Sequence, residues 1–122
     1  LTGNGGGFMF DCRGMHNPGR YDRYKPLTGL DKEVKDFLEE KGEVQEFIKA
    51  SLDIVTPVIE RYRSRGFNSL QVGFGCTGGR HRSVYCAQGF AEQVRCRFPD
   101  VRVELIHREQ GVHTLYNKEI EK

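Results

Sequence analysis

The sequence predicts an α/β domain with a small, mostly parallel sheet flanked by helices. Three observations predict it. The run from Leu70 to Phe74 places Leu70, Val72 and Phe74 at strand spacing and breaks into Gly75-Cys76-Thr77-Gly78-Gly79. A helical stripe of Val84, Ala87, Phe90, Ala91, Val94 and Phe98 follows, closed by Pro99. Val101 to Ile106 then alternates with β-branched residues, as a second strand would. Strand, tight loop, helix and strand make a βαβ unit, for which a right-handed crossover is expected.

The other elements follow in order. Residues 1–7 (LTGNGGG) read as a flexible lead-in and residues 8–122 as one domain. Phe8 to Arg13 alternates and reads as a strand. His16 to Pro26 is a loop, turned by Asn17-Pro18-Gly19, that carries Arg13, Arg20, Arg23 and Lys25 against Asp22. Asp31 reads as the N-cap of a helix running to about Lys41, with Leu30, Val34, Phe37 and Leu38 as its apolar stripe. Gly42 suits a left-handed helix end. A second stripe, Val44, Phe47, Ile48, Val55, Ile59 and Tyr62, predicts a helix from about Glu43 to Ser64, kinked or split at Pro57. The polar tail from Glu109 to Lys122 assigns no element.

A chain of 122 residues suffices for one core. The net charge of +2 gives no bulk argument for nucleic acid, but the charge is uneven. Residues 31–46 hold seven acids against three lysines, which reads as a solvated helix face. Residues 76–108 hold six arginines against three acids. Cys12, Cys76, Cys86 and Cys96 form no C-x-x-C pair and no zinc spacing, so no metal or cofactor is expected. That cysteine usage reads as a reduced, cytoplasmic protein, and no apolar run approaches membrane-spanning length.

The glycine loop carries the chemistry. Successive backbone N–H groups in such a loop point into one concavity, and the following helix N-terminus adds partial positive charge. Arg80, His81 and Arg82 add side-chain donors. A cation at a helix N-terminus is unfavourable without an anion, so Arg82 is the strongest single pointer to a phosphate site. Ligands of such sheets lie at the carboxyl ends of the strands, where Arg13, the glycine loop and His107-Arg108 all fall.

Three motifs overlap there. Gly73-x-Gly75-x-x-Gly78 matches a dinucleotide fingerprint, but the acid expected at the end of the next strand is misplaced. A Walker A loop is absent, because Gly79 and Arg80 stand where Lys and Ser or Thr should follow. Cys76, five residues, Arg82 and Ser83 are similar to the loop of cysteine-dependent phosphatases. There Cys76 would be the nucleophile, Arg82 the phosphoryl clamp and Ser83 an assisting hydroxyl. Asp11 and Asp22 are the nearest candidates for the proton donor this chemistry needs.

The whole pattern resembles the C-terminal domain of the RapZ family. The matching residues are Phe10-Asp11-x-Arg13, Asn17-Pro18, Pro26-Leu27-Thr28-Gly29-Leu30-Asp31, Gly75-Cys76-Thr77-Gly78-Gly79-x-His81-Arg82-Ser83-Val84-Tyr85 and His107-Arg108. The resemblance implies a phosphofructokinase-like subdomain that senses glucosamine-6-phosphate, binds regulatory RNA or protein partners, and assembles into homo-oligomers. It implies no catalytic reaction, and it pairs the domain with an N-terminal nucleotide-binding domain. Carried onto this chain, the ligand residues are Cys76, Thr77, Gly78, Gly79, Arg80, His81, Arg82 and Ser83, with Asp11, Arg13 and Asn17 from the first loop. The resemblance implies that relatives often have a histidine where Gly19 stands, and His16 lies on the other side of Asn-Pro. Arg95, Arg97, Arg102 and Arg108 are the expected RNA contacts. Two function classes stand side by side: a sensing domain for a phosphorylated small molecule, and a cysteine phosphatase.

Overall fold

Two parallel strands form the floor on which the site is built. A computed structural model of the chain describes residues 6–66, 70–75, 80–101, 103–107 and 112–116. Strand β1 (Gly6–Asp11) pairs with β2 (Leu70–Gly75), Gly6 opposite Leu70 and Asp11 opposite Gly75. The Cys12 amide donates to the Gly75 carbonyl at 2.7 Å and extends the pairing one residue further. Both strands therefore end together, and the helix α3 (Arg82–Arg97) begins shortly after that edge.

Between the strands lie α1 (Lys32–Glu39) and α2 (Glu43–Arg65). Val44, Ile48, Leu52, Val55 and Ile59 recur every three or four residues, which sets one face of α2 inward, and all five are buried. α3 answers with Val84, Cys86, Phe90, Ala91 and Val94. Aromatic rings tie these helices to the sheet. Phe10 stacks on Phe74 with centroids 5.4 Å apart, Phe47 meets Phe10 edge-on, and Phe90 lies 5.3 Å from Phe74.

The α/β class is as expected, with differences in detail. The β2–α3–β3 crossover does not appear among the described pairings. Instead β3 (Val103–His107) pairs antiparallel with β4 (Val112–Tyr116), Val103 opposite Tyr116. Val112, Thr114 and Tyr116 give the tail strand character, and antiparallel strands need only a short connection. α2 runs unbroken through Pro57, whose ring is exposed on the outer face. Gly42 takes φ of +77°, so it closes α1 through its amide to Glu39 and caps α2 as well. Asp31 occupies the N-cap of α1, but its carboxylate turns back to accept the Thr28 amide at 2.8 Å rather than a helix N–H.

Candidate anion-binding site

The loop between β1 and α1 folds back over the N-terminus of α3, and three consecutive basic residues hold it there. Arg82 Nη1 donates to the carbonyls of Arg13 (2.9 Å) and Met15 (2.8 Å). His81 Nε2–H donates to the Tyr24 carbonyl at 2.8 Å, which fixes its tautomer. Arg80 donates to the carbonyls of Leu27 and Pro26. Gly29 completes the contact. Its amide donates to the Arg80 carbonyl, and a Cβ there would stand 2.3 Å from the His81 carbonyl oxygen. Pro26 to Asp31 and Arg80 to Tyr85, both prominent in the sequence, are thus two halves of one packing contact.

Folding the loop back creates a cleft of about 590 Å³ lined by Arg13, Gly14, Met15, His16, Asn17, Arg20, Lys41, Glu43 and Arg82. Four cations face one carboxylate. Arg82 is only 3 % exposed, and its Nε has no hydrogen-bond partner among the described residues. A buried guanidinium N–H left unpaired carries a desolvation cost that an anion at this position would remove.

The first loop sets the outer wall. Asp11 takes Arg13 in a two-pronged pair, with Nε and Nη2 of Arg13 at 2.7 to 3.0 Å from its oxygens. Hydrogen bonds from the Arg13 side chain, then from its backbone amide, hold the Asp11 carboxyl down to about 2, against an ordinary value of 3.8. Asn17 spends its side-chain oxygen on the Gly19 amide, capping the short 3-10 turn Pro18–Arg20. Glu43 accepts the His16 amide at 3.0 Å, and the His16 ring packs 5.0 Å from Phe37.

Of the residues singled out in the sequence, the structure brings Arg13, Asn17 and Arg82 to the cleft wall. Asp11 stands behind Arg13 as its partner. Arg80 and His81 face the loop backbone, and Ser83 is buried in the first turn of α3. Cys76, Thr77, Gly78 and Gly79 lie outside the described residues, as do Arg102 and Arg108. Arg95 and Arg97 are exposed in the last turn of α3, remote in sequence from the cleft wall. Arg20, Lys41, Glu43 and His16 join the cleft without having been singled out. The basic loop signalled Arg20. Nothing local signalled Lys41 and Glu43, which reach the cleft from the junction of α1 and α2. Among the described residues no cluster of His, Cys, Asp and Glu is arranged to hold a metal ion, and no helix is long and apolar enough to cross a membrane.

An α/β domain with a cationic cleft at the carboxyl ends of its parallel strands is the class the geometry defines. The sequence profile of the RapZ C-terminal domain matches residues 3–111, and the chain belongs to that family. It is 38 % identical over 104 residues to a nucleotide-binding protein of Fervidobacterium nodosum, covering 84 % of this chain and 36 % of that protein. A nucleotide-binding protein of Pseudoalteromonas translucida is 41 % identical over 109 residues, 87 % of this chain and 37 % of its own length. One from Lactobacillus acidophilus is 40 % identical over 101 residues, 83 % and 33 % respectively. The chain thus spans about a third of the length of these relatives.

Proposed function

We propose that this domain is a regulatory module that binds the phosphate of a phosphorylated small molecule in the cleft beside Arg82. The observation that carries the reading is the buried Arg82 guanidinium, its Nε without a partner among the described residues, set at a helix N-terminus in a cleft of four cations. The family resemblance names an amino-sugar phosphate, glucosamine-6-phosphate, as the ligand. We assign the adjoining residues 76–79 the backbone amides that complete the cradle. Nucleotide binding, which the relatives' names print, is assigned to an attached or separate domain, since the present sequence has no Walker A loop.

Asp11 bears on the phosphatase alternative. Its carboxyl is ionised at neutral pH and engaged by Arg13, so it does not supply a proton to a leaving group. Asp22 pairs with Lys25 at the surface. Binding without turnover is therefore the preferred reading, with loss of turnover in Cys76→Ser as the mark of an enzyme.

A second surface supports an RNA reading. The C-terminal ends of α2 and α3 converge, because Arg63 both pairs with Asp100 and lies over the Phe98 ring. Arg61 and Arg65 are exposed at the end of α2 and Arg95 and Arg97 at the end of α3, and we assign these cations as contacts for a phosphate backbone. Retardation of a structured RNA against salt tests this, and a slope near zero removes it.

For the cleft, the test is titration of inorganic phosphate followed by amide and arginine side-chain resonances. Shifts of the Arg82 Nε–H and of amides 13–17 and 80–83 are expected. Unmoved resonances at millimolar phosphate overturn the reading.

A further inference from the structure

Two of the cleft's cations have no duty in the fold. Arg20 ends the short turn Pro18–Arg20, and Lys41 lies between α1 and α2. They reach one cleft because the loop after β1 packs on α1: the His16 and Tyr21 rings stand 5.0 and 5.6 Å from the Phe37 ring. Arg13 is committed to Asp11, and Arg82 spends Nη1 on the carbonyls of the loop. Glu43 accepts the His16 amide and joins no ion pair among the described residues. Arg20 and Lys41 are both exposed, and among the described residues neither side chain has an ion pair or a hydrogen bond. Two like charges brought to one cleft repel each other, and an anion between them removes that cost. A single phosphate at Arg82 leaves this pair unserved. The cleft, at about 590 Å³, is of the size that holds a whole small molecule rather than one phosphate.

We propose that Arg20 and Lys41 form a second anion subsite, so that the cleft selects a small molecule carrying two phosphates held apart by its body. One phosphate lies at Arg82 and the other at the Arg20–Lys41 pair. This rests on the phosphate reading above and adds a second anionic group to the ligand. The second phosphate receives charge-assisted hydrogen bonds from a planar guanidinium and an ammonium. Removing either cation lowers affinity for the bisphosphate and leaves the monophosphate, seated at Arg82, nearly as it was.

The experiment is calorimetric titration of the 122-residue chain with inorganic phosphate, fructose-6-phosphate and fructose-1,6-bisphosphate at neutral pH and physiological ionic strength. The wild-type chain is expected to prefer the bisphosphate over the monophosphate by about tenfold or more, the scale of one charge-assisted hydrogen bond. In Arg20→Ala and in Lys41→Ala the preference falls to about threefold or less, while monophosphate affinity changes by no more than about twofold. Lys49→Ala removes the same charge from outside the cleft, where Lys49 pairs with Asp53, and keeps the preference because salt screens distant charges. Equal wild-type affinity for the two sugars overturns the proposal. So does a preference that survives both cleft variants, or one that Lys49→Ala reduces as much as they do. Failure of both inorganic phosphate and the monophosphate to bind overturns the phosphate reading instead. A readout that needs no variant is the wild-type Arg20 Nε–H and Lys41 Nζ resonances. They move with the bisphosphate and not with the monophosphate, and the absence of that difference sinks the assignment.

Discussion

Arg82 has two duties that separate under substitution. Its Nη1 holds the Arg13 and Met15 carbonyls, and its Nε, without a partner among the described residues, is the donor the proposed function gives to the phosphate. Arg82→Lys keeps the charge but loses the planar fork. We expect a loss of about 1–3 kcal/mol of stability in urea unfolding and a weakening of inorganic phosphate binding by at least about tenfold. Asp11 gives a pH prediction at the same scale. Its folded pKa, about 2, lies below the ordinary 3.8, so its stabilising effect is fully present above about pH 4. That effect fades as pH falls from there through 2. A carboxyl carbon titration of Asp11 should find its midpoint near 2, and Arg13→Ala should return it toward 3.8. A midpoint already near 3.8 in the wild-type chain would contradict the pairing. The sequence made Asp11 and Arg13 visible as polar residues at a strand end, but which groups they would face depended on contacts the spacing does not encode.

Among elements, the contact between the Pro26–Asp31 turn and the α3 N-terminus decides whether the cleft exists. Gly29→Ala sets a Cβ 2.3 Å from one backbone oxygen and 2.7 Å from the Tyr85 nitrogen, atoms that cannot move without dislodging α3. A destabilisation of about 1–3 kcal/mol is expected, together with weakened phosphate binding as the loop lifts. Urea unfolding and phosphate titration of the same variant check both, and a variant as stable as wild type would show the loop free to shift. The helices themselves were legible in the sequence because apolar residues recur at 3.6-residue spacing over many turns. The unbroken path of α2 through Pro57 was not. A proline removes one hydrogen bond and crowds one carbonyl, and packing of Leu52, Val55 and Ile59 on either side outweighs that local cost. The antiparallel β3–β4 pair was missed for the opposite reason: its second strand is short and lies in a polar tail whose local pattern is weak.

Across the whole molecule, stability and site are coupled through the aromatic rings between the sheet and its helices. Phe90 is buried against Phe74, which stacks on Phe10 of the strand leading to Asp11 and Arg13. Phe90→Ala should cost about 3–5 kcal/mol, the usual loss for a buried phenylalanine. Added phosphate should recover part of it, since a ligand that binds only the folded state raises the unfolding free energy with its concentration. Thermal unfolding with and without phosphate measures both, and a midpoint indifferent to phosphate would argue against binding to the folded domain.

The sequence by itself determined the α/β class, the three helices, the strands around the glycine loop and the family, since periodicity, turn residues and contiguous strings are local properties of a chain. It also marked Arg82, because a cation at a helix start is electrostatically out of place without a partner. Only the tertiary structure decided that Arg80, His81 and Arg82 hold a loop through its carbonyls, and that Lys41 and Glu43 stand in the cleft. Backbone carbonyls occur at every position and carry no sequence signature. Residues brought together across a folded-back loop share no spacing that the chain alone reveals.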